Sequence, residues 1–252
     1  MPKAREIRIF GVQGLPEISK GDDLAGITLD AIGKQGEKIC NGDILVIAQK
    51  IVSKAEGRIR PLNSYKPSKL ARILAAESGK DPRHVQAILD ESRRIVRAER
   101  GVIISETKHG FICANAGVDQ SNLEIGKISL LPKDPGASAE RIRESIEKSS
   151  GADVAVIISD TFGRPFREGH VNVAIGVAGL LPLLDYRGKK DGYGNTLKVT
   201  MIAAADELAS AAELVMGKLN RVPVAIVRGY KFQKGAGRAV DLVRPFSENL
   251  FK

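Results

Sequence analysis

Two aspartates stand out among the residues able to do chemistry. Asp160 follows the apolar run Val154–Ile158 through Ser159, and Thr161, Arg164, Arg167, Glu168, His170 and Asn172 come after it. Asp119 lies in FICANAGVDQSN, residues 111–122, beside Ser121 and Asn122. Hard divalent cations such as Mg2+ take oxygen ligands and often need only one or two protein carboxylates when substrate phosphates supply the rest. Asp119 and Asp160 are such a donor pair. Arg164 and Arg167 are candidate clamps, because a guanidinium grips phosphate or carboxylate bidentately. Lys50, Ser53 and Lys54, just past the run Ile44–Ala48, offer a second phosphate grip. His170 and Glu168 are candidate general bases. Taken singly, these groups read equally well as capped strand ends, Asx turns and solvated loops.

The elements that must position them are legible in part. Val154–Ile158 and Ile44–Ala48 are unbroken apolar runs, the pattern of strands buried on both faces. Further strands are expected at the opening EIRIF, at Gly101–Ser105, Lys127–Leu131, Leu197–Ala203 and Pro223–Val227. Helices are expected from Leu24, over residues 66–97 with starts at Ser68 and Asp81-Pro82, from Ser138 to Gly151, and over Glu207–Met216 with Asp206 beginning it. The cluster Glu91–Arg100 reads as a wet helix face, His84 as a surface residue, and Arg164–Asn172 as a polar loop. Helix–strand alternation predicts an α+β or mixed α/β fold of mixed sheets with flanking helices, one unit over residues 1–252 with no evident linker. No GxxxxGK[ST] occurs, and Gly235-Ala236-Gly237 does not continue as GxGxxG, so neither a P-loop nor a Rossmann site is expected. GxSxG, HExxH and paired CxxC are missing too.

A formal charge of +9 favours anionic partners without choosing among them. The basic patches are not interleaved with aromatics as a base-stacking platform requires, which argues against a nucleic-acid binder. No apolar run reaches membrane-spanning length and residues 1–20 lack a signal-peptide core, so a cytoplasmic protein is expected. Cys40 and Cys113 carry no pattern and read as buried small residues.

Five segments in order carry a resemblance: GVQGLPEI at 11–18, GDILVIAQKIVSKAEGR at 42–58, ANAGVDQSN at 114–122, ISDTFGRPFREGHVNVAIG at 158–176 and AAELVMGKLNRVPVAIVRG at 211–229. Together they resemble the coenzyme F420-0:L-glutamate ligase family, in the stand-alone archaeal form without a nitroreductase-like domain. The resemblance implies a homodimeric GTP-dependent ligase. Such an enzyme joins L-glutamate to the coenzyme F420-0 precursor through an acyl phosphate, releases GDP and phosphate, and then adds a second glutamate by a γ-linkage. It also implies Mn2+ or Mg2+ at two sites, with K+ as helper. Residue by residue, it puts Asp119 and Asp160 on metal, and Thr161 with the neighbourhood of Lys218 on a second metal. A protonated Lys218 has no lone pair to give, so a backbone carbonyl is the expected donor there. Around GTP it puts Leu15, Pro16, Glu17, Ile18, Lys50, Asn122 and the turn Met216–Pro223, with Gly217, Lys218 and Pro223 in it. A metal-dependent phosphohydrolase using the same aspartates is the alternative.

Overall fold

The computed structural model describes residues 6–249; residues 1–5 of the opening segment, and 250–252, lie outside the described residues. A five-stranded mixed sheet forms the centre, in the order β1 (Arg8–Gly11), β12 (Val224–Arg228), β2 (Ile44–Ala48), β8 (Ala155–Arg164), β9 (Arg167–Ala178). Only β2 and β8 run parallel; every other neighbouring pair is antiparallel. The apolar runs are unbroken because alternate residues feed two cores. Leu45, Ile47, Val156 and Ile158 pack on one face with α1 (Leu24–Lys34) and α5 (Pro135–Ser150). Ile44, Val46, Ala155 and Ile157 pack on the other against α6 (Ala204–Met216). A strand lined on both faces leaves no polar position until it outruns its helices.

A second lobe with its own core lies between β2 and β8 in the chain. It follows the short helix α2 (Gln49–Ala55) and holds β3 (Ile59–Pro61), α3 (Lys69–Ser78), α4 (Pro82–Glu91), β4 (Ser92–Glu99), β5 (Val102–Thr107), β6 (Ile112–Ala114) and β7 (Lys127–Ser129). The strands β4, β5 and β6 make an antiparallel sheet, and β3 pairs with β7. Arg58 stitches this region together, donating to the Leu131 carbonyl at 2.9 Å and to Glu91 Oε2 at 2.7 Å. Two strands of two residues each, Leu184–Asp185 (β10) and Met201–Ile202 (β11), pair separately. Among the described residues the architecture is α+β with mixed sheets and no closed barrel.

Several boundaries differ from the sequence expectations. Residues 92–99 form β4 rather than continuing a helix; Arg94 faces Glu106 across the sheet and donates to it at 2.7 Å. Arg164–Asn172 is a hairpin, not a loop: β8 and β9 outrun the core and pair Phe162 with Val171 and Gly163 with His170. Asp134, not Ser138, caps α5, accepting from Ala137 N at 3.0 Å with Pro135 in the first turn. Ser138 instead bonds Glu56 and the Asp134 carbonyl. Helix α6 begins at Ala204, before Asp206, whose carboxylate accepts from Ala174 N. The strand expected at Leu197–Ala203 shrinks to β11. Cys113 is buried as expected, but Cys40 is exposed.

Two glycines give opposite expectations for stability. A Cβ on Gly176 would sit 2.3 Å from the Pro135 carbonyl oxygen at the start of α5. Gly33 has open space in the last turn of α1. Gly176→Ala should therefore lower the unfolding free energy by about 1–3 kcal/mol. Gly33→Ala should raise it by about 0.5–1 kcal/mol. Urea unfolding of both variants checks the pair.

Candidate active site

The strand directions bring distant segments to one end of the central sheet. Because β2 and β8 are parallel, with Ala48 opposite Ser159, the first turn of α2 and the pair Asp160-Thr161 emerge side by side. Strand β12 enters the sheet from that same end, Val224 facing Ile47, so the turn 216–223 lies there. Strand β1 leaves at it, Gly11 facing Ala225, and delivers residues 15–18. The second lobe closes the opposite side with Asp119, which bridges to Ser129. The result is a cleft of about 1690 Å³.

Its lining contains Leu15, Pro16, Glu17, Ile18, Lys50, Asp119, Asn122, Asp160, Thr161, Arg164, His170, Met216, Gly217, Lys218 and Pro223. Arg167 is not in it; this residue sits exposed at the hairpin tip, facing Arg164 in register. The rim is basic, and sequence reasoning passed over Lys20, Arg60, Lys80 and Lys127, which also line the cleft. They share no motif and gather only through folding.

Lys50 spans the cleft. Its ammonium donates to Asp119 Oδ2, to the Ser121 carbonyl at 2.6 Å and to Ser121 Oγ at 2.9 Å. Ser121 N also donates to Asp119 Oδ1 at 2.9 Å. Burial pushes the Asp119 carboxyl up, but hydrogen bonds from Lys50 and Ser121 more than offset it and hold it below the usual range. Asp160 goes the other way. Burial pushes it up to about 6, and the charge of Asp119 adds to the rise, while the Thr161 N–H, Lys50 and Lys218 oppose it. The two carboxylates thus face one cleft within electrostatic reach of each other. Cys113 lies behind them, its thiol pushed by burial to about 12, which leaves it protonated and unsuited to act as a nucleophile.

Three polar atoms of the cleft wall are buried without a hydrogen-bond partner among the described residues: Ser159 Oγ, Asn115 Oδ1 and Arg164 Nε. Such orphans are rare and mark where a ligand or water completes the bonding. Asn115 opens a turn in which Asn115, Ala116 and Gly117 take φ of 56°, 52° and 71°. Two non-glycine residues in the left-handed region are strained, and that strain sits three and four residues ahead of Asp119. Only Gly117 signalled it in sequence. His84 is half-buried behind Val118 rather than on the surface, and burial lowers its pKa.

Asp119 and Asp160 fit one divalent cation: both are hard oxygen donors, and one is held partly desolvated. No group of three His, Cys, Asp or Glu able to hold a metal occurs among the described residues, so ligands beyond the two carboxylates would come from backbone carbonyls, hydroxyls, amides, phosphate or water. At Thr161 and Lys218 a second divalent ion could draw on the Thr161 hydroxyl and the Lys218 backbone carbonyl. The Thr161 hydroxyl donates to Asn172 Oδ1 at 2.8 Å and accepts from the Lys218 ammonium, a group with no lone pair.

The scaffold is α+β, with two carboxylates and a basic rim gathered at one end of a mixed sheet. The chain belongs to the F420-0:Gamma-glutamyl ligase family, which it matches over residues 13–229. It is 49% identical over 249 residues to the coenzyme F420:L-glutamate ligase of Methanothermobacter thermautotrophicus, covering 98% of this chain and 99% of that one. It is 48% identical to the enzyme of that name from Methanocaldococcus jannaschii, with 98% of each covered, and 40% identical to the one from Archaeoglobus fulgidus, with 98% and 96% covered. No helix among the described residues is long and apolar enough to cross a membrane.

The raised Asp160 gives a stability test. Well below the ordinary value of 3.8 its carboxyl is neutral in folded and unfolded chains alike. As pH rises from about 4 through 6 the unfolded chain ionises first, so folding loses on the order of 2 kcal/mol. Metal-free Asp160→Asn should therefore be more stable than the parent at pH 7 by that order, and the gap should close toward pH 4. Thermal melts at both pH values in chelator check the sign.

Proposed function

We propose that this chain is a GTP-dependent ligase that forms an amide bond between L-glutamate and coenzyme F420-0, then adds a second glutamate through its γ-carboxylate. The observation that carries the reading is the pairing of Asp119 with Asp160, beside Lys50, in a basic cleft of a chain from this family. The cleft volume supports it too. Single-ligand pockets run to roughly 300–1,000 Å³, so about 1690 Å³ leaves room for a nucleotide and an acceptor side by side.

A carboxylate is a poor electrophile, so the acceptor first takes the γ-phosphoryl group of GTP, and GDP leaves. The glutamate amine then attacks the acyl carbon and phosphate departs. Asp119 and Asp160 would hold Mn2+ or Mg2+, which when bound neutralises phosphate charge during the transfer. Lys50, already at the cleft centre, brings positive charge to the phosphates. Arg164, whose Nε–H has no partner among the described residues, is oriented by its bond to the Glu168 carbonyl and offers a donor to phosphate or substrate carboxylate. Residues 15–18, Asn122 and the turn 216–223 form the walls for the nucleotide. His170, on the rim, is our choice for taking the amine proton; Arg167, outside the lining, is left with a rim contact at most. We assign no residues to K+. The reading extends to a cytoplasmic homodimer in which residues 1–252 of each chain form a single ligase unit, and light scattering at twice the chain mass is the check on the dimer.

Purified protein incubated with GTP, Mn2+, glutamate and F420-0 should give a product one, then two, glutamyl residues heavier by mass spectrometry. GDP and phosphate should accumulate over many turnovers only when both acceptor and glutamate are present. Equal GTP turnover without acceptor would point instead to a metal-dependent phosphohydrolase. Asp160→Asn should abolish turnover with the fold intact by circular dichroism, and Asp119→Asn should reduce it at least 100-fold, roughly what removing one charge-stabilising group costs.

A further inference from the structure

The hydroxyl of Thr161 is held in one orientation by its neighbours. Thr161 on β8 and Asn172 on β9 are directly opposed in register, so their side chains share one face of the hairpin. The Lys218 ammonium, which has only donors, bonds Thr161 Oγ1. The oxygen therefore accepts on that side, and its single proton must go elsewhere. It goes to Asn172 Oδ1, at 2.8 Å. The same logic fixes the amide: the atom facing Thr161 is the carbonyl oxygen, not the nitrogen. Asn172 is itself firmly placed in the cleft wall. It is 6% exposed, and its backbone carbonyl accepts from Ser210 Oγ on α6 at 2.7 Å. Two residues on, Ala174 N donates to Asp206 of that helix. Lys218, by contrast, is exposed, and its flexible stem can swing aside at little cost.

We propose that Asn172 is the positioning residue for a cation at Thr161. By taking the hydroxyl proton it keeps the oxygen's lone pairs turned into the cleft, toward whatever positive group sits there. The Lys218 ammonium fills that role in the structure. In the loaded enzyme a second divalent ion takes it over, drawing also on the Lys218 backbone carbonyl. Without Asn172 the hydroxyl is free to turn its proton toward the ion, and the site loses a donor. An amide suits the place because it accepts the proton without adding charge to a buried position. This inference rests on the nucleotide reading given above.

The test titrates Mn2+ by electron paramagnetic resonance, using full-length protein in excess over a slowly hydrolysed GTP analogue without acceptor. The parent should bind two Mn2+ per nucleotide complex. Asn172→Leu, close in size but without an acceptor, should keep one ion and hold the other about 10- to 100-fold more weakly, as when a metal ligand loses its hydrogen-bond partner. Thr161→Val should do the same. Adding Asn172→Leu to it should weaken that ion no further, since the amide acts only through the hydroxyl. Asn172→Asp keeps an acceptor and should hold both ions. If circular dichroism shows Asn172→Leu unfolded, the smaller Asn172→Ala replaces it with the same expectation. Four results would overturn the proposal and leave the ligase reading intact: a parent with a single ion, both ions unchanged or weakened alike in Asn172→Leu, a further loss in the double variant, or the same loss in Asn172→Asp. Failure of the parent to bind the analogue at any Mn2+ level would remove the ligase reading, and this inference with it.

Discussion

The parallel pairing of β2 with β8 is the constraint from which the cleft follows. An antiparallel arrangement of the same strands would send Lys50 and Asp160 to opposite ends of the sheet. With Ala48 opposite Ser159, both chains leave the core at one level, and the antiparallel neighbours β12 and β1 add their own termini there. Every polar group that matters on the sheet side lies within a few residues of a strand end. The helices α1, α5 and α6 serve mainly to keep both faces dry. That dryness is why the polar residues are confined to the ends.

Across the gap, charge decides the geometry. Asp119 keeps its charge because Lys50 and Ser121 hold it, whereas Asp160 is left short of partners and shifts the opposite way. Two carboxylates facing one cleft between lysines thus have their ionisation driven in opposite directions. Groups whose environments drive their ionisation apart cluster where ligands bind.

Much of this was legible in the sequence, for definite reasons. The runs at 44–48 and 154–158 are uninterrupted because each is covered on two sides, and Ser68 and Asp81-Pro82 cap helices where their types predict. Asp119 and Asp160 stood out by type, although nothing in their spacing said they would face each other. Residues 92–99 misled because two register shifts against β5 break the alternation that marks a strand, leaving charges scattered at helix-like intervals. The hairpin beyond Thr161 misled for a different reason. Held by backbone bonds past the edge of the core, it needs no apolar side chains and looks like a loop. Lys20, Arg60 and Lys80 were invisible, since only the folded lobes bring them to one rim.

The chain path between β2 and β8 also bears on the order in which the molecule is assembled. Residues 49–154 leave and rejoin the central sheet at neighbouring strands, so zipping that pair closes a very long loop. The second lobe is built from nearby partners, α3 against α4 and β4–β5–β6 in succession. Local pairings form fast and distant parallel ones slowly. During synthesis, a chain halted before Ala155 carries Asp119 on a scaffold ready to fold, while the other carboxylate has yet to leave the ribosome. The pair comes into existence only in the step that locks the sheet.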